Sequence, residues 1–309
     1  MALPFFSVVI PTYNRPLEIE SCLIALSQLD YPHDLYEVIV VDDGSKVSLR
    51  SVVDKVENRL SVKLNVKLIE QQNAGPAAAR NRGVAEANGD YLVFTDDDCM
   101  PDSQWLRQFA IALEKSPTAM VGGRTINALP DNLYSSASQA LIDYLYSYYN
   151  GATSDVSGGV FFASNNIAMV KSQFLEIGGF DVSFPLAAAE DRNLCDCWQQ
   201  AGYPMQYVPS ATIQHAHALS LRSFWRQHFG YGRGAFCFHQ VRANRTMEPI
   251  KVEPLKFYSD LLTYPLVERG VRSPLAVSGL FFLSQVATTT GFFWERLMTG
   301  QRRARASAL

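Results

Sequence analysis

Two carboxylates spaced two residues apart follow directly on a short apolar run of the sequence. The run Tyr91–Thr95 has the length and composition of a buried strand, and Asp96-Asp97-Asp98 comes immediately after it. Carboxylates at positions i and i+2 of a loop can face one hard cation, and Mg²⁺ and Mn²⁺ take oxygen ligands that they commonly share with substrate phosphates. Asp96 and Asp98 are therefore candidate ligands of Mg²⁺ or Mn²⁺. A solvated turn rich in aspartate would produce the same pattern.

Polar clusters also follow two other apolar runs. Thr12-Tyr13-Asn14 comes after Phe6–Ile10 and a proline, and Asp42-Asp43 ends the run Tyr36–Val41. In an open sheet of parallel strands, the ligand lies beyond the carboxyl ends of the strands. One polar strand end is common, whereas three such ends that meet at one edge of a sheet predict a functional site.

The loop Asn73-Ala74-Gly75-Pro76 is a candidate anion-binding segment. It precedes an Ala-rich helix whose first N–H groups could face a phosphate, and Arg80 and Arg82 on the first turns could add charge-assisted hydrogen bonds. An ordinary helix with solvated arginines would look the same. The sequence contains neither G-x-G-x-x-G nor G-x-x-x-x-G-K-[ST], which argues against a dinucleotide fold and a P-loop.

The elements that must position these residues alternate between strands and helices. Apolar runs predict strands at Phe6–Ile10, Tyr36–Val41, Val62–Glu70 and Tyr91–Thr95. Apolar residues at helical spacing predict helices at Leu17–Leu29, Ser51–Arg59 and Ala77–Ala87. This alternation predicts an α/β fold with a doubly wound, mostly parallel sheet. Residues 158–170 predict a further sheet element and Glu190–Gln200 a helix. We therefore expect one α/β domain over residues 1–240 and a helical C-terminal appendage over residues 241–309.

The composition excludes several classes of protein. Of 309 residues, 27 are Lys or Arg, 30 are Asp or Glu, and 48% are apolar. The apolar share excludes a disordered or collagen-like chain, and the net charge of −3 argues against a nucleic-acid partner. The five cysteines form no C-x-x-C pair, which favours a reducing compartment over a disulfide framework or a zinc knuckle. Residues 1–7 lack the features of a signal peptide, so we expect a cytoplasmic protein.

One long stretch without charge, Leu275–Trp294, stands out near the C-terminus. Its length suits a bilayer crossing, but its Ser, Thr, Gln and Gly residues weaken insertion. Arg272 precedes it, and Arg296 and Arg302 follow it. The stretch could lie in a membrane interface with basic flanks toward anionic lipid, form a buried or dimer-forming helix, or span the membrane. We predict the first of these, at the cytoplasmic face.

Four blocks of the sequence share their order and spacing with a known family. They are Ser7–Arg15 (SVVIPTYNR), Val40–Ser45 (VVDDGS), Asn73–Asn81 (NAGPAAARN) and Phe94–Asp98 (FTDDD). With them, the chain resembles family 2 of the nucleotide-sugar glycosyltransferases. The resemblance continues at Gly178-Gly179-Phe180-Asp181 and Glu190-Asp191, and covers residues 6–240. It implies a GT-A-type fold, a nucleoside-diphosphate sugar donor, a divalent metal ion and inversion at the anomeric carbon.

By position, the resemblance also implies which residues meet the donor, with UDP as the default nucleotide. The nucleotide pocket would be lined by Pro11, Thr12, Tyr13 and Arg15. The Tyr13 ring would lie near the base, and Asp43 would accept a hydrogen bond from it. Asp96 would face the ribose and the metal, with Asp97 beside it on the donor side. Asp98 would ligate the ion that bridges the diphosphate, and the ion would act as a Lewis acid toward the departing nucleoside diphosphate.

The pair Glu190-Asp191 begins a predicted helix. In the family that the chain resembles, the second acid of such a pair is the general base, which would take the proton of the acceptor hydroxyl. Glu190 beside it is a like charge that would raise the affinity of the pair for protons. Without the resemblance, two acids at a helix N-terminus are ordinary, since the helix dipole favours them there.

His215-Ala216-His217 could supply one more metal ligand. Enzymes of this fold often carry a histidine after the last core strand, and the resemblance places His215 there. In a strand both histidines would face the same side. We favour His215 over His217, and a pair of exposed loop histidines is the alternative.

Several further residues are candidates for contact with the sugar, the diphosphate or the acceptor. Asn165 and Asn166 could contact sugar hydroxyls, or they could belong to an edge-strand turn. Arg226 and Arg233 could clamp the diphosphate, or they could lie on a solvated basic helix. The tyrosines within residues 144–149 could stack on an acceptor sugar or belong to an aromatic core. The Gln-x-x-Arg-Trp block of processive members is absent, which argues against polymer synthesis with translocation.

Together these features predict a metal-dependent, inverting glycosyltransferase that acts on a lipid-linked or growing-glycan acceptor, and that could form oligomers. Two other classes stay open. A nucleotidyltransferase would need a Gly-rich, basic loop after the first strand, where Pro11–Asn14 stands instead. A non-catalytic sugar-nucleotide or glycan-binding protein would be expected to lack Asp98 or Asp191, and both are present.

Overall fold

The computed structural model describes residues 3–59, 64–150, 161–184, 188–246, 253–268 and 270–306. The strands are β1 Phe6–Thr12, β2 Tyr36–Asp42, β3 Val66–Glu70, β4 Tyr91–Thr95, β5 Cys99–Pro101, β6 Met120–Asn127, β7 Asn166–Val170 and β8 Met205–His215. The helices are α1 Pro16–Leu26, α2 Arg50–Arg59, α3 Pro76–Ala85, α4 Trp105–Lys115, α5 Leu133–Asn150, α6 Lys171–Glu176, α7 Glu190–Gln200, α8 Leu221–Thr246, α9 Leu255–Val267 and α10 Pro274–Ala306.

The described residues form two compact units, which alternate along the chain. The first consists of Met1–Ala128, Tyr149–Val182 and Leu194–Ala216, and the second of Leu129–Tyr148, Ser183–Asn193 and His217–Leu309. The first unit contains the sheet, and the second contains the long helices α8, α9 and α10.

The sheet of the first unit has eight strands in the order β3-β2-β1-β4-β7-β6-β8-β5. Strands β3, β2, β1 and β4 are parallel, as the alternation of strands and helices predicts. Strand β7 then runs antiparallel to both β4 and β6, and β5 runs antiparallel to β8. Four of the seven pairings are parallel, so the prediction of a mostly parallel sheet is confirmed.

The central strands are the core of this unit. Every residue of β1 and β2 is buried, which explains why their sequences are continuous apolar runs rather than alternating ones. In the β1–β2 register, Thr12 lies opposite Asp42, so the polar residues that follow both strands start from the same sheet edge. The strand predicted over residues 62–70 begins later, at Val66, and its first two residues lie outside the described part of the chain.

The second unit has its own apolar core. Phe224 of α8, Phe257 and Leu261 of α9, and Phe281 of α10 are buried together. Tyr144 of α5 joins them, because its ring lies 5.3 Å from the ring of Phe257 and its hydroxyl donates a hydrogen bond to the Phe257 carbonyl. For Tyr144 the structure therefore supports the aromatic-core interpretation over stacking on a sugar.

Glycines allow helices α8 and α10 to pack closely. A Cβ atom at Gly232 would lie 1.8 Å from the carbonyl oxygen of Thr288, and one at Gly291 would lie 2.0 Å from that of Phe229. Both contacts are with backbone, which cannot move aside as a flexible side chain would. The two helix backbones therefore touch at these two points.

This packing predicts a difference between two glycines on one helix. Gly232→Ala should destabilise the fold by about 1–3 kcal/mol, because the added methyl overlaps the α10 backbone. Gly230→Ala is the matched control, since its Cβ would meet nothing within 4 Å, and alanine favours the helix by up to about 1 kcal/mol. Thermal and denaturant unfolding measure both variants. Equal stability of the two would contradict the close contact between α8 and α10.

Candidate active site

The carboxyl end of β2 holds the loop that precedes α3. The Asp43 carboxylate accepts hydrogen bonds from the backbone N–H groups of Ala74 (2.9 Å) and Gly75 (2.8 Å) and from the side-chain amide of Gln71 (2.7 Å). Asn73 returns a hydrogen bond of 2.9 Å to the Asp43 carbonyl. Asp43 therefore shapes this loop, and its predicted contact with a base stays a prediction.

Helix α3 begins at Pro76, directly after Gly75, whose φ of +88° lies in the region that glycine adopts freely. Arg80 on this helix is buried. Its Nη2 donates to Asp96 Oδ1 at 2.7 Å, and its guanidinium lies 5.3 Å from the centre of the Phe180 ring. Arg82 is exposed and pairs with Glu86. The interpretation of both arginines as solvated therefore fails for Arg80 and applies to Arg82.

The three aspartates after β4 take different partners. Asp96 pairs with Arg80, as described. Asp97 turns toward β1, where it accepts a hydrogen bond of 2.8 Å from Thr12 Oγ1 and one of 2.7 Å from Arg15 Nη1. Burial raises the pKa of Asp97 to about 6, although the Arg15 charge acts in the opposite direction. Asp98 accepts a hydrogen bond of 2.8 Å from the same Arg15 nitrogen.

Arg15 therefore bridges two neighbouring carboxylates through one nitrogen. Burial by itself lowers the pKa of its guanidinium, but the attraction of Asp97 and Asp98 outweighs this effect and raises that pKa above its usual value. The family resemblance implied that Arg15 lies at the nucleotide, and it did not reveal this bridge. The only available signal was a basic residue in the loop after β1, close to where β4 ends.

His215 lies at the end of β8, and the pairing of β5 with β8 sets it opposite Cys99, the residue after Asp98. Its Nε2 atom lies 3.1 Å from Asp98 Oδ1. Burial lowers the pKa of the imidazole, and the hydrogen bond and charge of Asp98 outweigh burial, so the pKa is raised overall. The backbone N–H of Ala216 also donates to the Asp98 carbonyl at 2.9 Å. Asp98, His215 and His217 each offer a ligand atom, and the three atoms lie within 4.8 Å of one another, so the choice of His215 over His217 stays a prediction.

Asp98 and His215 offer ligand atoms that suit a divalent ion. A carboxylate oxygen and an imidazole nitrogen lie side by side, and a cationic guanidinium already occupies the other oxygen of the same carboxylate. Carboxylate oxygens suit Mg²⁺ and Mn²⁺, and imidazole nitrogens are common ligands of divalent transition-metal ions. A cavity of about 200 Å³ adjoins Asp98 and is bordered by Glu18 and Ser21 of α1. The residues therefore fit a divalent metal ion.

The pair Glu190-Asp191 forms the first turn of α7, and this part of the helix belongs to the second unit. Glu190 is buried, and Asp191 is half-buried with the Arg192 N–H donating to its Oδ1 at 2.7 Å. Ala189 just before them has a φ of +72°, which is strained for a residue with a Cβ atom. A Cβ atom at Gly234 of α8 would lie 2.5 Å from the Ala188 carbonyl oxygen.

Helix α8 holds the same segment at two further points. The Arg192 guanidinium lies 4.6 Å from the centre of the Phe238 ring, and Arg245 Nη1 donates to Asn193 Oδ1 at 3.3 Å. Within the second unit, the strained turn that presents Asp191 therefore depends on α8.

The residues predicted to contact sugar form hydrogen bonds within the protein. Asn166 is fully buried, accepts a hydrogen bond from Trp105 Nε1 at 2.8 Å, and donates to the carbonyls of Arg124 (3.0 Å) and Ala211 (3.1 Å). A sugar contact by Asn166 would break this network, which joins β6, β7 and β8. Asn165 is also buried, and Thr125 donates to its amide oxygen at 3.4 Å. Their contacts with sugar stay predictions.

In the second unit, Arg226 is exposed, whereas Arg233 Nε donates to Glu295 Oε2 at 2.6 Å. Glu295 of α10 is 1% exposed and Arg233 is half-buried, so this is a partly buried ion pair between α8 and α10. Arg233 is therefore not a solvated basic residue. Little in the sequence indicates this pair, apart from Glu295 being the first charged residue after the uncharged stretch.

Comparison with known proteins identifies the family. Residues 7–177, more than half of the chain, match the family described as "Glycosyl transferase family 2". The chain belongs to this family. The resemblance found in the four sequence blocks is confirmed, and the acids that follow β4 lie within the matched region of this family 2 glycosyltransferase.

Among its relatives, "Glycosyltransferase AglE" of Haloferax volcanii is 36% identical over 129 residues, which is 42% of this chain and 42% of AglE. The chain thus matches less than half of the length of that relative. A Methanococcus voltae protein named "Dolichyl N-acetyl-alpha-D-glucosaminyl phosphate 3-beta-D-2,3-diacetamido-2,3-dideoxy-beta-D-glucuronosyltransferase" is 25% identical over 240 residues, or 74% of this chain and 72% of that protein.

The fold of this family 2 glycosyltransferase also resembles that of a solved structure. Mannosyltransferase PcManGT from Pyrobaculum calidifontis, in complex with GDP-Man and Mn²⁺, aligns with a TM-score of 0.60 and 20% identity over 99% of this chain and 81% of that one. At this identity the likeness concerns the fold alone. The predicted GT-A-type α/β fold with a helical C-terminal part is confirmed.

Proposed function

We propose that this family 2 glycosyltransferase moves a sugar from a nucleoside-diphosphate sugar, UDP-linked by default, to a hydroxyl of a lipid-linked or growing-glycan acceptor, with inversion. The observation that carries the proposal is the arrangement after β4, where Asp98 lies between His215 and Arg15 at the carboxyl edge of the sheet. Ligands of α/β sheets lie at that edge. The PcManGT structure, in complex with GDP-Man and Mn²⁺, supports the donor class and the metal.

Asp98 and His215 would hold a Mn²⁺ or Mg²⁺ ion, with Asp96 close by. The bound ion would supply Lewis-acid stabilisation of the charge on the leaving diphosphate. Asp96 itself is held by the buried Arg80, which brings a second positive charge to this edge of the sheet. A guanidinium can pair with phosphate oxygens as well as with a carboxylate, so Arg80 suits the predicted contact with the donor.

The nucleotide would bind at the ends of β1 and β2. Pro11 and Thr12 belong to β1 and are buried, whereas the Tyr13 ring is 45% exposed and so offers a face on which a base could stack. Asp43 and the Asn73–Gly75 loop form the neighbouring wall. Asp97 would support this pocket indirectly, because it accepts hydrogen bonds from Thr12 and Arg15.

Asp191 would act as the general base. A carboxylate at the start of α7 can accept the proton of the acceptor hydroxyl while that oxygen attacks the anomeric carbon from the face opposite the diphosphate. Glu190 lies buried beside it and is the other acid of the predicted catalytic pair. The turn that α8 holds would present Asp191 to the acceptor.

The core of this proposal is tested by measuring nucleotide release from UDP-, GDP- and dTDP-sugars with a panel of glycan and polyprenyl-phosphate acceptors. We expect acceptor-dependent turnover with Mn²⁺ or Mg²⁺ and its loss with EDTA. Release of pyrophosphate from a nucleoside triphosphate and a sugar phosphate would instead indicate a nucleotidyltransferase. Donor or glycan binding without turnover across the whole panel would indicate a binding protein.

The C-terminal helix supports a lipid-linked acceptor. In the described part of the chain, one helix, Pro274–Gln301, is long and apolar enough to cross a membrane. Its inner face packs on α8, but large apolar side chains lie exposed at spacings of seven, four, seven and four residues. They are Leu275, Phe282, Val286, Phe293 and Leu297, and we call them the apolar stripe. Such spacing puts them on one face of the helix.

We propose that the apolar stripe lies on an anionic membrane surface. Arg296 at one end is exposed and would face acidic headgroups, and Arg272 at the other end is exposed and pairs with Asp131. A helix with one face packed on α8 and one face apolar suits the interface better than a full span. The dolichyl phosphate in the name of the Methanococcus voltae relative agrees with an acceptor that is itself in a membrane.

This surface predicts the outcome of vesicle sedimentation. Phe282→Ser combined with Phe293→Ser should release most of the protein from vesicles of phosphatidylglycerol, because each exposed ring contributes about 1.5–3 kcal/mol when it leaves water. Leu175→Ser, at an exposed leucine of α6, is the control and should sediment as the wild type. Unchanged sedimentation of the double variant would contradict the proposal. So would a loss of oligomers, since it would assign the apolar stripe to a second copy of the chain.

A further inference from the structure

Arg15 occupies an unusual position in the acidic site. One nitrogen, Nη1, lies 2.7 Å from Asp97 Oδ1 and 2.8 Å from Asp98 Oδ2. The two carboxylates are almost fully buried, whereas the Arg15 side chain is 39% exposed. The Arg15 side chain thus extends from the protein surface to the two buried carboxylates, and its positive charge offsets the repulsion between them.

The backbone of Arg15 is fixed, although its side chain is not enclosed. Arg15 directly precedes α1, and its carbonyl accepts the Ile19 N–H at 3.2 Å. The preceding Asn14 is tied to the loop after β2, because its N–H donates to Ser45 Oγ at 2.7 Å and its side chain accepts the Lys46 N–H at 2.8 Å. Movement of the guanidinium therefore needs only rotation about side-chain bonds.

The two oxygens of Asp98 meet different groups. Oδ1 faces His215 Nε2 at 3.1 Å, and Oδ2 faces Arg15 at 2.8 Å. A divalent ion held by Asp98 and His215 would lie next to a fixed positive charge on the same carboxylate. Two positive charges a few ångströms apart repel each other by several kilocalories per mole, even at the effective dielectric constant of a protein surface. Arg15 and a metal ion therefore compete for Asp98.

We propose that Arg15 is a resident counter-ion, which must leave Asp98 when a metal ion binds and which then pairs with the diphosphate of the donor. The inference rests on the proposed function of the site. A guanidinium can pair with phosphate oxygens in the same forked geometry that it uses for carboxylates. Asp97, held also by Thr12, keeps the arginine near the site. Nucleotide binding thus removes the competitor, and the metal ion and the nucleotide bind cooperatively.

Cooperativity of this kind is reciprocal, so it can be measured from either ligand. In the wild type, UDP should lower the Mn²⁺ dissociation constant by about tenfold or more, within the 5–150-fold span of typical coupled sites. In Arg15→Gln, Mn²⁺ alone should bind about fivefold more tightly than in the wild type, and the factor by which UDP lowers the Mn²⁺ dissociation constant should be about fivefold smaller, because the diphosphate still offers its oxygens to the ion. UDP alone should bind more weakly, because its charged partner is gone.

The experiment is a titration of the full chain with Mn²⁺, followed by the electron paramagnetic resonance of the free ion, with and without UDP or GDP. Arg107→Gln is the matched control, since Arg107 of α4 pairs with the exposed Asp30 and its loss should change neither affinity. Arg15→Lys keeps the positive charge but lacks the forked guanidinium group. Its coupling between Mn²⁺ and UDP should lie between that of the wild type and that of Arg15→Gln. If Arg15→Gln does not fold, as judged by circular dichroism, Arg15→Lys carries the test.

Equal or weaker Mn²⁺ binding by Arg15→Gln in the absence of nucleotide would overturn the inference, because Arg15 would then support the ligand rather than compete for it. Wild-type coupling that survives unchanged in either variant would overturn it too. The proposed function fails in a different way: there the wild type itself would bind no Mn²⁺, with or without nucleotide.

Discussion

Replacing Asp191 with asparagine should lower kcat for sugar transfer by about 10²–10⁴-fold, the range that a positioned general base contributes, and leave UDP and Mn²⁺ binding unchanged. Asparagine has the same shape and can still accept the Arg192 N–H, as the carboxylate does at 2.7 Å. It cannot take the proton of the acceptor hydroxyl. The loss should therefore appear in the chemical step and not in the affinity for the donor.

The control for this variant is on the same helix. Asp196→Asn changes an acid of α7 that accepts a hydrogen bond from Gln200, and an amide can still accept it. We expect transfer to proceed at the wild-type rate. Initial rates at saturating donor, together with calorimetry of UDP binding, separate the two effects. Full transfer activity of Asp191→Asn would assign the base to another residue, while the fold and the metal site could still be as described.

The second large effect is expected at Asp98. Asp98→Asn should abolish measurable Mn²⁺ binding and lower transfer by at least about 10²-fold, because the amide removes the negative charge that the ion needs and leaves His215 without a carboxylate beside it. Mn²⁺ titration and nucleotide release measure both consequences. Asp102→Asn, at an exposed acid just beyond β5, is the control and should behave as the wild type. Metal-dependent transfer that persists in Asp98→Asn would remove Asp98 from the site.

Thermal unfolding of Asp98→Asn adds a readout that does not depend on activity. The substitution removes the carboxylate that would hold the ion, so EDTA and Mn²⁺ should give the same melting temperature in the variant. In the wild type, Mn²⁺ with UDP should raise it, since ligands that bind only the folded state stabilise it. A rise of equal size in Asp98→Asn would contradict the assigned ligand.

Much of the fold could be predicted from local patterns. The bounds of β4 were as predicted, and α7 spans the predicted residues, because continuous apolar runs and helical periodicity are local signals. The antiparallel strand β7 between β4 and β6 could not be deduced in this way. Strand β5 has three residues, and its pairing with β8 joins positions more than 110 apart in the chain. A pattern that repeats over a few residues contains no information about such pairing.

The candidate site likewise combines features that local sequence patterns predict with features that they do not. Strand-end polarity predicted that Thr12 and Asp98 lie at one edge of the sheet, and the parallel register of β1 and β4 explains why. Which partner each aspartate takes depends on side-chain directions, so the bridge from Arg15 to Asp97 and Asp98 was missed. The burial of Arg233 against Glu295 was missed for a similar reason, since the two residues are 62 positions apart.

The contact between α8 and α10 bears on how this protein can be prepared. Trimming the uncharged C-terminal helix is an obvious way to improve solubility during expression. Here such a truncation would uncover the backbone at Gly232 and deprive the half-buried Arg233 of Glu295. Because α8 also packs against the turn before Asp191, we expect the shortened protein to be more soluble but to lose the proposed sugar transfer. Serine substitutions confined to the apolar stripe offer the better route.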